Sequence, residues 1–119
     1  IYFIQLLSPT TTQIRLKKII NDSHPMSYFI SMLSTTGGKL KVSPKQILKN
    51  YNKIKKINPK KEIVIGFGIT DKTIGKLRSA DGLVVGSAIC KEITNSLNSR
   101  QNPVTNVSKL VKKLKNKIV

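Results

Sequence analysis

With 119 residues the chain makes one domain at most, and it can bury about 65% of its unfolded surface, enough for a modest core. Its 22 Lys and Arg stand against five Asp and Glu, a formal net charge of +17, which raises the question of a nucleic-acid partner. The lysines are spread along every helical stretch, mostly alternating with apolar residues as solvated outer faces do. The aromatics are not interleaved with them as a stacking platform would need, so a dedicated nucleic-acid surface is set aside as the main reading.

Residues 2–7 form an apolar run broken only by Gln5, short enough for a strand, and Ser8-Pro9 ends it. Thr10 followed by Gln13 has the spacing of a capping box, and Ile14, Ile19 and Ile20 give a first helix its inner face. A second strand is predicted over 26–31, after a turn running from Asp22 to Pro25. The stretch 33–39 has no periodicity and two adjacent glycines, Gly37 and Gly38, and reads as a loop at the carboxyl end of that strand. Ser43-Pro44-Lys45-Gln46 then opens a helix with a capping serine, a proline at the first helical position and a glutamine three residues past the cap. Ile47, Leu48, Tyr51 and Ile54 repeat at helical spacing, and Asn58-Pro59 stops the pattern. A third strand follows over 62–66, then a short helix capped by Thr70-Asp71 and carrying Ile74 and Leu77. A fourth strand covers 82–85, and a helix runs from Ser87 to about residue 97. After Pro103, the residues Val107, Leu110, Val111, Leu114 and Ile118 mark a closing amphipathic helix.

Strands alternating with helices specify a parallel sheet wound with its helices outside. A closed eight-stranded α/β barrel needs about 250 residues, so four such units amount to half of one. The expected fold is therefore α/β: the C-terminal half of a TIM (β/α)8 barrel, with four βα units and a closing helix, forming one domain over 1–119. The chain opens at Ile1, inside an apolar run and without an initiator Met, and the N-terminal half of the barrel is expected to be absent from it.

The side chains offer little chemistry. Asp22, Glu62, Asp71, Asp81 and Glu92 are widely separated, and no pair is spaced for acid–base work. His24 precedes Pro25 in a turn and reads as a loop residue. Ser87 lacks the final glycine of a Gly-x-Ser-x-Gly elbow and has no histidine partner in prospect, which argues against a serine hydrolase. Cys90 is the single cysteine; it makes neither a disulfide framework nor a cysteine metal site, and its apolar surroundings predict a buried, inert thiol. No metal-ligand cluster or cofactor motif is found. Neither a membrane span nor a signal peptide is visible, and a soluble cytoplasmic protein is the expectation.

What remains is backbone chemistry at strand ends. Gly68 and Gly86 follow the third and fourth strands and lack Cβ atoms, so an oxygen-rich ligand can approach the main chain closely. Ser87 opens a helix and offers an N–H and a hydroxyl to an anion. Gly37, in the flexible loop, can add a third amide. Tight strand–helix turns alone would also explain such glycines, but two consecutive ones in the last quarter of a barrel match the usual phosphate position of that fold.

These segments resemble the alpha subunit of tryptophan synthase along essentially the whole chain, in that subunit's C-terminal half. Leu6-Leu7-Ser8-Pro9-Thr10 is similar to the end of its fifth strand, and Tyr28-Phe29-Ile30-Ser31 to its sixth. Thr36-Gly37 is similar to the Thr-Gly of the mobile loop that follows. Gly66-Phe67-Gly68-Ile69 matches the seventh strand, and the segment from Ala80 to Ile89 matches the eighth strand and its turn. The resemblance implies retro-aldol cleavage of indole-3-glycerol phosphate to indole and glyceraldehyde 3-phosphate, in partnership with a beta subunit. It implies that Gly37, Gly68, Gly86 and Ser87 hold the phosphate, that Thr36 helps close the loop, and that Tyr28 and Phe67 line the indole side of the pocket. The family's acid–base Glu and Asp belong to its N-terminal half, so no catalytic residue is expected here. Ser34 stands where the family usually has glycine, and His24-Pro25 where a glycine is common. Two other readings stand beside this one: a half-barrel that binds phosphate esters without catalysis, and, more remotely, a basic nucleic-acid-binding protein.

Overall fold

The computed structural model describes residues 1–22, 24–31 and 42–119. Four strands, β1 (Leu6–Leu7), β2 (Met26–Ile30), β3 (Glu62–Gly66) and β4 (Gly82–Val84), form one parallel sheet in that spatial order. Helices α1 (Gln13–Asp22) and α2 (Pro44–Lys55) follow the first two strands, a 3-10 turn (Ile74–Leu77) follows β3, and α3 (Ser87–Asn98) and α4 (Pro103–Lys115) follow β4. The result is a half-barrel. Its Cα radius of gyration is 15.9 Å, against about 13.5 Å for a compact domain of this length, as an open sheet would give.

The register sorts the strand residues into two faces. Leu7, Phe29, Ile65 and Leu83 lie side by side in one row across the sheet. The first three are fully buried beneath the helices, with Leu16, Ile20, Ile47, Ile54 and Leu77 packed into the same core. The neighbouring row, Leu6, Tyr28, Val64 and Gly82, faces the opposite way. Leu6 keeps 60% of its surface exposed there. Successive strand residues point to opposite faces, so only one face of the sheet has been covered.

The helix starts follow their sequence signals unevenly. Ser43 accepts a hydrogen bond from the Gln46 N–H at 3.2 Å, ahead of Pro44 in the first turn of α2. Asn102 does the same for α4, accepting from the Val104 and Thr105 amides at 2.9 and 3.2 Å. Helix α1 begins later than the capping-box pattern predicts. Residues 8–11 close a separate turn in which the Ser8 N–H donates to Thr11 Oγ1 and the Thr11 N–H to the Ser8 carbonyl. Thr12 then takes the boundary, its carbonyl accepting from the Leu16 N–H. The inner face becomes Leu16 and Ile20, one turn apart, while Ile14, two residues before Leu16, falls on the far side of the helix, 86% exposed.

Strand β1 is also shorter than the 2–7 expected. Leu6 pairs with Tyr28 in parallel, so residues 2 and 3 would have to pair with His24 and Pro25, which form the turn before β2. Tyr2 and Phe3 are exposed, not strand or core residues. The short helix expected behind Thr70-Asp71 is a 3-10 turn that starts only at Ile74. Asp71 is not a helix cap; it pairs with Lys113 and Lys117 at 3.1 and 2.6 Å, tying the end of α4 to the segment after β3. Those two ammonium groups hold its carboxyl below the usual range, Lys117 first.

The amino ends of the strands are cross-linked by a polar network. Asp81, just before β4, accepts from Lys55 Nζ at 2.6 Å and from the Ile63 N–H at 2.8 Å, while its own N–H donates to Tyr51 Oη at 3.1 Å. Partial burial works to raise the Asp81 carboxyl, but the hydrogen bonds from Lys55, Ile63 and Tyr51 outweigh it and leave the group below its ordinary value. Burial raises the Tyr51 phenol. Nearby, Lys61 is buried and donates to the His24 carbonyl at 2.6 Å, and burial lowers its ammonium.

Candidate functional site

The other end of the sheet is where the glycines gather. Ile30, Gly66 and Val84 share one register row, so β2, β3 and β4 finish level and their following residues meet. Tyr28, Phe67, Gly68, Ile69, Val84, Gly86 and Ser87 line a cavity of about 190 Å³ there. Five of these are the residues the sequence reading singled out, drawn from three separate strand ends: Tyr28, Phe67, Gly68, Gly86 and Ser87. Thr36 and Gly37 lie outside the described residues. A cavity at the carboxyl ends of parallel strands is where barrel proteins carry their chemistry.

One wall is aromatic. Tyr28, on the uncovered face of β2, meets Phe67 edge-on, with ring centroids 6.5 Å apart and planes at 90°, the tilted geometry aromatic quadrupoles prefer. Tyr28 leans over Gly66, so that a Cβ on that glycine would overlap its phenol.

The turn after β3 is strained. Phe67 has a φ of 70° and Gly68 a φ of 68°. The left-handed region is open to glycine, but for an L side chain it costs about 1–2 kcal/mol. Phe67 is nonetheless held there, with 55% of its surface exposed. Ser31, the residue after β2 and 1% exposed, donates its N–H to the Gly66 carbonyl at 3.2 Å. Its Oγ lies 2.8 Å from both the Gly66 and the Phe67 carbonyl oxygens. Thr73 Oγ1 donates to the next carbonyl, that of Gly68, at 2.9 Å.

The opposite wall is polar and bare. Gly86 precedes α3 with a φ of −115°, and a Cβ there would meet nothing within 4 Å. Neither backbone conformation nor packing against the protein therefore requires glycine at this position. No side chain caps α3, and its first turn holds no acidic residue, so the partial positive charge of the helix N-terminus is not offset. Ser87 begins the helix, exposed. Cys90, one turn on, is exposed, contrary to the buried thiol expected: α3 packs against α4 through its other face, where Ser96 is buried and accepts from Asn106 Nδ2 at 3.0 Å.

None of the seven lining residues is charged. Glu62 and Asp81 stand at the amino ends of β3 and β4, Asp22 ends α1, Asp71 is held by α4 and Glu92 lies on α3. No group of three potential metal ligands occurs among the described residues, and no helix among them is long and apolar enough to cross a membrane. The sequence reading gave Ser31, Ile69 and Val84 no role in a site. The signal for Ser31 was a hydroxyl closing an apolar strand, where it must find a buried acceptor.

Parallel βα units that open a glycine-lined cavity at their carboxyl ends define a segment of an α/β-barrel protein. Residues 1–119 match the family model of the tryptophan synthase alpha chain, and the chain belongs to that family. It is similar to the tryptophan synthase alpha chain of Pelagibacter ubique, with 72% identity over 118 residues that cover 99% of this chain and 44% of that one. Similarity to the tryptophan synthase alpha chain of Aquifex aeolicus is 35% over 117 residues, covering 95% of this chain and 41% of the other. The crystal structure of the tryptophan synthase alpha chain from Legionella pneumophila superposes with a TM-score of 0.80 at 27% identity, over 98% of this chain and 42% of that one. The chain thus spans less than half the length of the relatives it matches.

Proposed function

We propose that this chain supplies the phosphate site and part of the indole pocket of a tryptophan synthase alpha subunit, which cleaves indole-3-glycerol phosphate into indole and glyceraldehyde 3-phosphate in the cytoplasm and works with a beta subunit. The observation that carries the reading is the convergence of Tyr28, Phe67, Gly68, Gly86 and Ser87 on one cavity. The phosphate rests against Gly68, Gly86 and the start of α3. Bare backbone, an uncapped helix N-terminus and the absence of carboxylates along the walls all suit a dianion. The open space where Gly86 would carry a side chain is the space the phosphate fills. The family resemblance assigns Gly37 and Thr36 to the same site.

The indole lies against Tyr28 and Phe67, whose rings stand at 90° to each other and form an aromatic corner. A retro-aldol cleavage needs a base for the hydroxyl proton and an acid for the departing carbon. None of this chain's five carboxylates is among the residues that line the cavity, so the proton-transfer pair comes from the remainder of the barrel. The role of these residues is to anchor one end of the substrate and orient the other.

The test is titration of the intact protein with glycerol 3-phosphate. Asp is a preferred residue at a helix N-cap, so Gly86→Asp folds, yet its carboxylate meets the anion: binding falls at least tenfold, about 1.4 kcal/mol. Gly86→Ala retains the wild-type stability. Undiminished binding by Gly86→Asp would put the phosphate elsewhere.

A further inference from the structure

We propose that Ser31 is the positioning residue of the anion site: its buried hydroxyl, 2.8 Å from the Phe67 carbonyl oxygen, holds the Phe67–Gly68 peptide with its N–H turned to the cavity. The inference rests on the phosphate reading above and adds a residue that touches no substrate.

The argument is one of peptide geometry. There is no cis bond in the described chain, and in a trans peptide the C=O and N–H point in opposite directions. Drawing the Phe67 carbonyl toward Ser31, behind the turn, sends the Gly68 N–H the other way, on the side where Gly68 lines the cavity. Phe67 holds this orientation with a left-handed φ, and a bulky residue persists there only when its surroundings over-determine it. Ser31 provides that constraint from a fixed place: its own N–H is bonded to Gly66 in continuation of the ladder, and the residue is 1% exposed. Its single hydroxyl proton is shared between the Gly66 and Phe67 carbonyls. Thr73 holds the Gly68 carbonyl at 2.9 Å, so the peptides on both sides of the Gly68 Cα are gripped. Without the serine hydroxyl, Phe67 relaxes toward negative φ and the 67–68 peptide rotates, which presents a carbonyl oxygen to the anion in place of an amide.

The test uses the intact protein labelled with 15N-glycine, with glycerol 3-phosphate as the probe. In the wild type the Gly68 amide resonance shifts on titration. Ser31→Ala weakens binding about tenfold and abolishes that shift, and Ser31→Cys, which keeps a weak donor of similar size, falls between. A purely structural serine would lower the melting temperature while leaving the dissociation constant and the Gly68 shift at their wild-type values below the transition. That result, alongside lost binding in Gly86→Asp, would overturn the role of Ser31 and leave the phosphate reading standing. Wild-type binding by Gly86→Asp would remove the phosphate reading, and the role of Ser31 with it. Should Ser31→Ala not fold, Ser31→Cys decides alone: unchanged affinity and an unchanged Gly68 shift overturn the inference.

Discussion

The phenol of Tyr28 occupies the space that a side chain on Gly66 would need. The two residues sit on adjacent strands, two register positions apart, because Tyr28 pairs with Val64 and its ring leans toward the carboxyl end of the sheet.

Gly66→Ala therefore expels the tyrosine ring from its place. Overpacking of this kind costs about 1–3 kcal/mol, and the aromatic wall loses its Tyr28 edge. Because the new Cβ overlaps the ring carbon Cζ as well as the hydroxyl oxygen, adding Tyr28→Phe recovers little of the loss. Urea unfolding of the single and double variants checks this, and a double variant as stable as Tyr28→Phe alone would contradict it.

Phe67→Gly is expected to weaken binding without a matching loss of stability. Glycine relieves the left-handed backbone, and after its larger unfolded-state entropy is subtracted the gain is about 0.5–1 kcal/mol. The residue is 55% exposed, and the surface its ring does bury offsets that gain. The same change removes half of the aromatic pair, so affinity for indole falls. Thermal melting and an indole titration on one preparation test both effects.

Acid weakens the network at the amino ends of the strands in a defined window. The Asp81 carboxyl is lower in the folded chain than in the unfolded one, where it titrates near about 3.9. Its contribution is therefore complete above that value and lost as the pH falls through the lowered native one. Asp81→Asn keeps an acceptor for the Ile63 N–H but drops the charge facing Lys55, at a cost of about 1 kcal/mol at neutral pH. Denaturation of both proteins from pH 7 downward should show the gap closing only in the acid limb. A gap independent of pH would contradict the charge-based account.

The architecture was legible because each of its determinants is local. Ser43-Pro44 announces a helix start in its own side chains, Pro103 marks the start of the closing helix, and β3 follows from the Ile63-Val64-Ile65 run between Glu62 and Gly66. The cavity was legible for a related reason: glycines at successive strand ends need no partner to be noticed. What escaped depended on other strands or on backbone angles. The shortness of β1 follows from what residues 2 and 3 would face across the sheet, and the exposure of Ile14 from a turn that spends Thr10 and Thr11 before the helix begins. The hold of Ser31 on Phe67 spans more than thirty residues, and nothing in the Gly-Phe-Gly triplet announces that the phenylalanine itself takes a positive φ. Cys90 looked buried because its neighbours are apolar, but only the docking of α4 decides which face of α3 is covered.

The two ends of the sheet divide the labour. Asp81, Lys55, Tyr51 and Lys61 tie the strands together at the amino end, while strand-end glycines, a strained turn and an uncapped helix occupy the carboxyl end. A change that strengthens the first set leaves the second untouched. Thermal tolerance can thus be adjusted at one rim of the sheet, by selection or by a protein engineer, without altering the residues that line the cavity at the other.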